Sequence, residues 1–257
     1  MPKRILFALQ KGGVGKTTST VAVAETLAAL GYRVLVVDFD SQGNSTKILT
    51  GDSIYKYTGR TVMEAIRQGD AAPYIVPIND NLDLLPAEDR LSAFSRYIYT
   101  SKVSNPYAAL KRLLEPIEGK YDYVFCDVGP TLGDTVINAI VYADHIVVPM
   151  DLGEMSMDSM VRFIEFVHET AKEGHTKAEI TGILLTMRDG RSRYEREISE
   201  GTRAVYGDLV FKTEIRRRVK IKEMSSTGID LEDETMEDYI SVTEEILQRI
   251  NRKEETT

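Results

Sequence analysis

Near its start the chain changes from an apolar run to a glycine-rich turn and then to a helical pattern. The run Ile5-Leu6-Phe7-Ala8-Leu9 is followed by Gln10-Lys11-Gly12-Gly13-Val14-Gly15-Lys16-Thr17-Thr18, and helical spacing continues from Lys16 to Leu30. Strand, glycine loop and helix in this order form an anion site. Successive backbone N–H groups line a concavity, and the helix N-terminus adds partial positive charge. Glycines let the backbone turn sharply and approach phosphates without a Cβ in the way. The stretch Lys11, Gly12, Gly13, Val14, Gly15, Lys16, Thr17, Thr18 is thus a nucleotide-phosphate loop by expectation. Lys16 is placed to reach the terminal phosphates and Thr17 to ligate magnesium. The usual pattern G-x-x-x-x-G-K-[ST] is broken at one point: Gln10 stands where its first glycine belongs, and a second lysine, Lys11, precedes the glycine pair.

The remaining chain alternates strand-like and helix-like segments. Val34-Leu35-Val36-Val37, Leu82 to Leu85, Tyr121 to Asp127, His145 to Val148 and Ile180 to Thr186 read as strands. Pro86 and Pro149 are the expected stops of two of them. Helices are expected at 16–30 with Val23, Leu27 and Leu30 on one face, at Thr61 to Gln68, at Ala108 to Leu114 ending before Pro116, and at Gly133 to Tyr142. A further one carries Met157, Met160, Val161, Ile164 and Val167, and the last runs from about Glu234 to Ile250. Thr61 with Glu64 three residues later is a capping-box pattern. The tyrosines at 55, 57, 97, 99 and 107 read as half-buried ring packing. Buried strands alternating with helices imply an α/β fold, a single doubly wound, mostly parallel sheet with helices on both faces. No repeat or second core interrupts 1–257, so one domain is expected, with 251–257 as a frayed tail.

Acids end two of the strands. Asp127 closes an apolar run and fits a magnesium-holding role, while Asp38 and Asp40 end another. In open α/β sheets, ligands bind at the carboxyl ends of strands. Three acids there, beside a phosphate loop, suit nucleotide hydrolysis. That chemistry needs phosphates held, Mg²⁺ positioned and a water aligned. The single cysteine, Cys126, excludes a cysteine-ligated metal site within one chain and suits a reducing compartment. With no signal-peptide pattern or long apolar run, the expected location is cytoplasmic.

Four blocks closely resemble the ParA family of partition ATPases, within the deviant-Walker-A group of P-loop NTPases that also contains MinD. They are KGGVGKTT at 11–18, VVDFDSQGNST at 36–46, YDYVFCDVGPTLG at 121–133 and ADHIVVPM at 143–150. The resemblance implies ATP and Mg²⁺ as cofactors. It gives Lys16 the phosphate contact, Thr17 the magnesium and Thr18 the α-phosphate. Asp38 and Asp127 would support the magnesium shell, and Asp40 would orient the attacking water. Lys11 would be the signature lysine that reaches the nucleotide of the other subunit in an ATP-closed homodimer. Two departures stand out: Val128-Gly129-Pro130 replaces the usual proline pair, and Arg216-Arg217-Arg218 replaces the Pro-Arg-Asn near the adenine.

Charge is unevenly distributed. The chain carries −8 overall, yet residues 186–222 hold eleven bases against six acids. Such a concentration is the pattern of a local polyanion-binding face. Arg216, Arg217, Arg218, Lys220 and Lys222 form an acid-free run, and Arg191 and Lys220 match DNA-contacting bases in the resembled family. Arg193 to Glu197 interleaves signs, which suits a solvated salt-bridged face as well as a DNA contact. The resemblance then implies an ATP-dependent dimer on non-specific DNA, nucleoid-associated when ATP-bound, with hydrolysis stimulated by a ParB-like centromere-binding adaptor. The alternative is a MinD-like membrane-associated positioning ATPase. It needs a terminal amphipathic helix with a basic face, whereas this chain ends in an acid-led helix and a tail without apolar residues, so no membrane is expected.

Overall fold

The computed structural model describes residues 1–101, 103–218 and 228–255. The apolar runs become strands β1 (Lys3–Phe7), β2 (Val34–Phe39), β3 (Val76–Pro77), β4 (Leu82–Leu85), β5 (Tyr123–Val128), β6 (His145–Asp151) and β7 (Glu179–Thr186). They form one sheet in the order β3-β4-β2-β5-β1-β6-β7, parallel except for the short β3 at one edge. Helices α1 (Lys16–Ala29), α2 (Asn44–Thr50), α3 (Val62–Gln68), α4 (Phe94–Thr100), α5 (Ala109–Glu118), α6 (Asp134–Tyr142), α7 (Glu154–Lys172), α8 (Arg193–Tyr206) and α9 (Glu237–Glu255) connect and cover them. This is the doubly wound α/β architecture expected from the alternation.

Side chains alternate across each strand, so successive residues feed opposite layers. Ile5, Phe7, Val34, Val36, Tyr123 and Phe125 pack with α1 and α9. Leu6, Leu35, Val37, Val124 and Cys126 pack on the other face, with α5, α6 and α7. Burial on both faces is why these strands are continuous apolar runs. Met160 and Val167 are buried in this core, with Met157 and Ile164 packed against it, while Val161 is exposed.

Local signals set several boundaries. Thr61 and Glu64 form the capping box of α3, and Gly31 at φ 90 follows α1. Leu30, however, is 60% exposed at the end of α1 rather than part of its buried face. Tyr57 and Tyr97 are half-buried as expected, but Tyr55, Tyr99 and Tyr107 are exposed. The last helix continues past Ile250 to Glu255.

Two prolines do not stop their elements. Pro149 lies inside β6, paired with Leu184 of β7. Ala8 N donates to Val147 O, so Val147 turns its polar groups toward β1. By the two-residue period Pro149 turns the same way, beyond Phe7, the last residue of β1 in register with β6. No ladder bond is lost there. Pro116 lies inside α5. The carbonyl that loses its donor belongs to Arg112, which is exposed like Pro116 and open to water, while Leu110, Leu113, Leu114 and Ile117 are buried. The buried face carries the helix through a proline on its wet side.

Gly182 in β7 shows how tightly the α9 layer closes. An added Cβ would overlap the Phe211 ring and stand 2.8 Å from Arg249 Nη1. Arg249 lies 4.2 Å over that ring and donates to the carbonyls of Thr181, Leu209 and Val210. Gly182→Ala is therefore expected to destabilise the fold by about 1–3 kcal/mol through overpacking. The entropy gain from removing a glycine, about 0.4–1 kcal/mol, is smaller. Urea denaturation checks this, and an unchanged midpoint would contradict it.

Candidate nucleotide-binding site

The sheet order places β5 between β1 and β2, with Phe7, Asp127 and Asp38 side by side in register. The loop after β1 therefore opens beside both acids. Gly13 (φ 76) and Gly15 (φ 84) take the left-handed conformation that turns this loop into α1, with Gly15 at the N-cap. A Cβ on Gly12 or Gly13 would meet nothing within 4 Å, so the glycines leave the concavity open. Val14 is fully buried and its carbonyl accepts from Thr186 Oγ1 at 3.0 Å, which pins the loop to the end of β7.

The two lysines of the loop have different partners. Lys16 is 7% exposed, and its Nζ donates to the Lys11 carbonyl at 2.7 Å across the turn. Burial lowers its pKa, while the charges of Asp127 and Asp40 oppose that shift. Lys11 turns outward from the cradle to β6 and α7. Its ammonium donates to both Asp151 carboxylate oxygens at 2.9 Å and to Ser156 Oγ at 2.6 Å.

Among the acids, Asp127 faces the loop. It accepts from Thr17 Oγ1 at 3.2 Å and from Ser45 Oγ at 2.7 Å. Asp38 accepts from Thr46 N at 2.8 Å and Thr46 Oγ1 at 2.7 Å, and from Asp40 N at 3.3 Å. It braces the turn that presents Asp40. Both buried carboxyls have raised pKa values, through desolvation first; the neighbouring Asp127 charge adds to it for Asp38, while hydrogen bonds from Ser45 and Thr17 oppose it for Asp127. Asp40 stands half-exposed at the mouth, its Oδ1 accepting from Gln42 N at 3.1 Å. Gly129 gives it room: a Cβ there would lie 3.2–3.3 Å from the Asp40 carboxylate.

The Thr17 hydroxyl beside the Asp127 carboxylate is a hard oxygen pair of the kind Mg²⁺ uses, completed by phosphate and water oxygens. Among the described residues no group of three His, Cys, Asp or Glu forms a metal cage. A cavity of about 420 Å³ adjoins the loop, lined by Gly13, Gly15, Thr186, Met187, Arg217 and Tyr239 among others. The arrangement can hold a polyphosphate on the loop, a divalent cation at Thr17 and Asp127, and a planar group in the adjoining cavity.

Arg216, Arg217 and Arg218 line that cavity and also a second, outward one with Arg188 and Arg191. The run is less free than its sequence suggests. Arg216 pairs with Asp238 at 2.6 Å, in the first turn of the last helix, and Arg218 with Glu234 at 2.9 Å, in the turn just before it. Arg217 and Arg191 are exposed, Arg217 Nε donating to Met187 O at 3.3 Å. Arg193 pairs with Glu197, as the interleaved signs suggested. Lys220 and Lys222 lie outside the described residues. Among the described residues no helix is long and apolar enough to cross a membrane.

Four site contacts escaped sequence reading: Ser45, Thr46, Asp151 and Ser156. Ser45 and Thr46 lie inside the block at 36–46, so a signal was available. Asp151 and Ser156 have none locally.

A protein-family model described as an AAA domain matches residues 2–180. The chain is 34% identical over 231 residues to the sporulation initiation inhibitor protein Soj of Bacillus subtilis, covering 89% of each chain. It is 31% identical over 259 residues to the chromosome partitioning protein ParA of Caulobacter vibrioides, covering 96% of this chain and 95% of that one. A solved structure of a putative plasmid partition protein from Borrelia burgdorferi, bound to AMPPNP, is 28% identical with a TM-score of 0.81. It covers 98% of this chain and 100% of that one.

Proposed function

From the premise that this chain belongs to the ParA/Soj-type family of partition ATPases, we propose that it is an ATP-switched dimer that binds DNA non-specifically. ATP sits on residues 11–18, with Mg²⁺ held by Thr17 and supported by Asp127. The cation offsets phosphate charge. Asp38 acts through the turn it braces, and Asp40 orients the attacking water. The observation that carries the reading is the division of labour between the lysines. Lys16 is buried in the loop, while the Lys11 ammonium lies outside the cradle, bonded to β6 and α7. A cation in that position serves a second subunit's nucleotide better than its own. Adenine occupies the cavity beside Arg217 and Tyr239.

DNA contact is assigned to Arg191, Arg216, Arg217, Arg218, Lys220 and Lys222. Arg191, Arg216 and Arg217 are the exposed members among the described residues, and Arg216 and Arg218 must exchange Asp238 and Glu234 for phosphate. The acid partners explain how a basic run can stay quiet until a dimer doubles its valency. A ParB-like adaptor completes the cycle by stimulating hydrolysis, and the ATP-bound form sits on the nucleoid in the cytoplasm. Co-sedimentation with DNA and with anionic vesicles, with and without ATP, tests this reading. ATP-dependent pelleting with DNA alone is expected; pelleting with vesicles alone would favour the membrane alternative. Affinity should fall steeply with salt, and Arg191→Ala and Arg217→Ala, each removing one contact per subunit, should each lower the log–log salt slope of the dimer by about 1.8. A flat salt response would remove the phosphate-contact assignment.

A further inference from the structure

The Lys11 ammonium makes three hydrogen bonds, all to partners about 140 residues away in sequence. Asp151 ends β6, and Ser156 lies in the first turn of α7. Ser156 is fully buried, and its hydroxyl also bonds the Asp151 carboxylate. Burial acts to raise the Asp151 pKa, but the bonds from Ser156 and Lys11 together hold it below the usual carboxylate range. Gly153 completes the arrangement. Its φ of −113 is open to any residue, yet a Cβ would stand 3.3 Å from Asp151 Oδ1 and 3.9 Å from Lys11 Nζ. The glycine therefore serves the close approach of the ion pair rather than a backbone turn.

We propose that Asp151 and Ser156 are positioning residues for Lys11. They hold its ammonium within its own chain and set how much phosphate charge is needed to draw it across to a second subunit. The proposal rests on the reading above that Lys11 acts in trans. To cross, the lysine exchanges one carboxylate and one hydroxyl for a partner's phosphates. That exchange is favourable only where the new site is more negative than the old. With Mg²⁺ bound, a diphosphate only about matches the charge of one carboxylate, and the terminal γ-phosphate supplies the difference. Asp151 and Ser156 thus contribute selectivity for the triphosphate state without touching the nucleotide.

The test is dimerisation of the full chain by analytical ultracentrifugation, titrated with AMPPNP or ADP plus Mg²⁺, alongside nucleotide affinity measured on the monomer. Asp151→Asn should form dimers at roughly tenfold lower AMPPNP and should begin to dimerise with ADP. Ser156→Ala, a smaller change with little risk to folding, should move the same way less far. Monomer nucleotide affinity should stay within about twofold, a split that a merely structural role would not produce. Acylation of the Lys11 amine, followed by mass spectrometry without nucleotide, should be faster in both variants. An unchanged or higher AMPPNP requirement, or unchanged acylation, overturns the proposal. Lys11→Ala dimerising like the wild type would instead overturn the trans reading, and the proposal with it.

Discussion

Lys16→Ala is expected to abolish ATP binding at physiological concentrations while leaving the fold intact. Lys16 is almost fully buried; desolvation lowers its pKa, and the charges of Asp127 and Asp40 oppose that shift. The proposed role is to neutralise terminal phosphate oxygens from inside the loop. Removing one member of a buried, hydrogen-bonded charge pair costs about 2–5 kcal/mol, which is roughly 30-fold to several-thousand-fold in affinity. The Lys11 carbonyl, which accepts from Lys16 at 2.7 Å, loses a partner, a local cost of roughly 1–3 kcal/mol. Calorimetric titration with ATP–Mg²⁺, alongside a thermal melt, separates the two effects. Retained affinity in a folded variant would sink the phosphate assignment.

Asp40→Ala is expected to do the opposite: keep ATP and stop the cycle. The carboxylate accepts from Gln42 N and is given space by Gly129; as an anion it makes no attractive contact with phosphate, so its removal should not weaken ATP binding. Positioned acid–base or water-orienting groups are typically worth about 10²–10⁴-fold in rate. Steady-state phosphate release should fall by that order, with ATP-dependent dimer and DNA complex persisting. Turnover near the wild-type rate would remove Asp40 from the role. Gly129→Ala offers a milder version, because its Cβ would press on the same carboxylate at 3.2 Å.

What sequence reading recovers follows the range of the physics involved. The glycine loop between strand and helix is legible because its causes are local: a buried strand, glycines at left-handed φ and a helix N-terminus. The acids were legible as strand ends, since buried parallel strands are apolar until they reach the ligand edge. Register was not. That β5 inserts between β1 and β2, setting Asp127 between Phe7 and Asp38, depends on sheet order. Nor does sequence say that Asp38 spends its oxygens on Thr46 and the Asp40 amide.

The two prolines were misread for one reason. A stop rule is local, but its penalty depends on where the missing N–H would have pointed. At Pro149 that is past the end of β1, and at Pro116 the freed carbonyl faces water. The arginine run shows the same lesson in charge: Arg216 and Arg218 look free along the chain and meet Asp238 and Glu234 only when the last helix packs back. Lys11 is the extreme case, its partners invisible until β6 and α7 are in place.

The claim that ATP closes two copies of this chain is tested most directly by the mass of Asp40→Ala in solution. Sedimentation should give twice the monomer mass with ATP–Mg²⁺ and the monomer mass with ADP. Adding Lys11→Ala should return the ATP sample to monomer. A monomer at saturating ATP, or a dimer indifferent to Lys11, would contradict it.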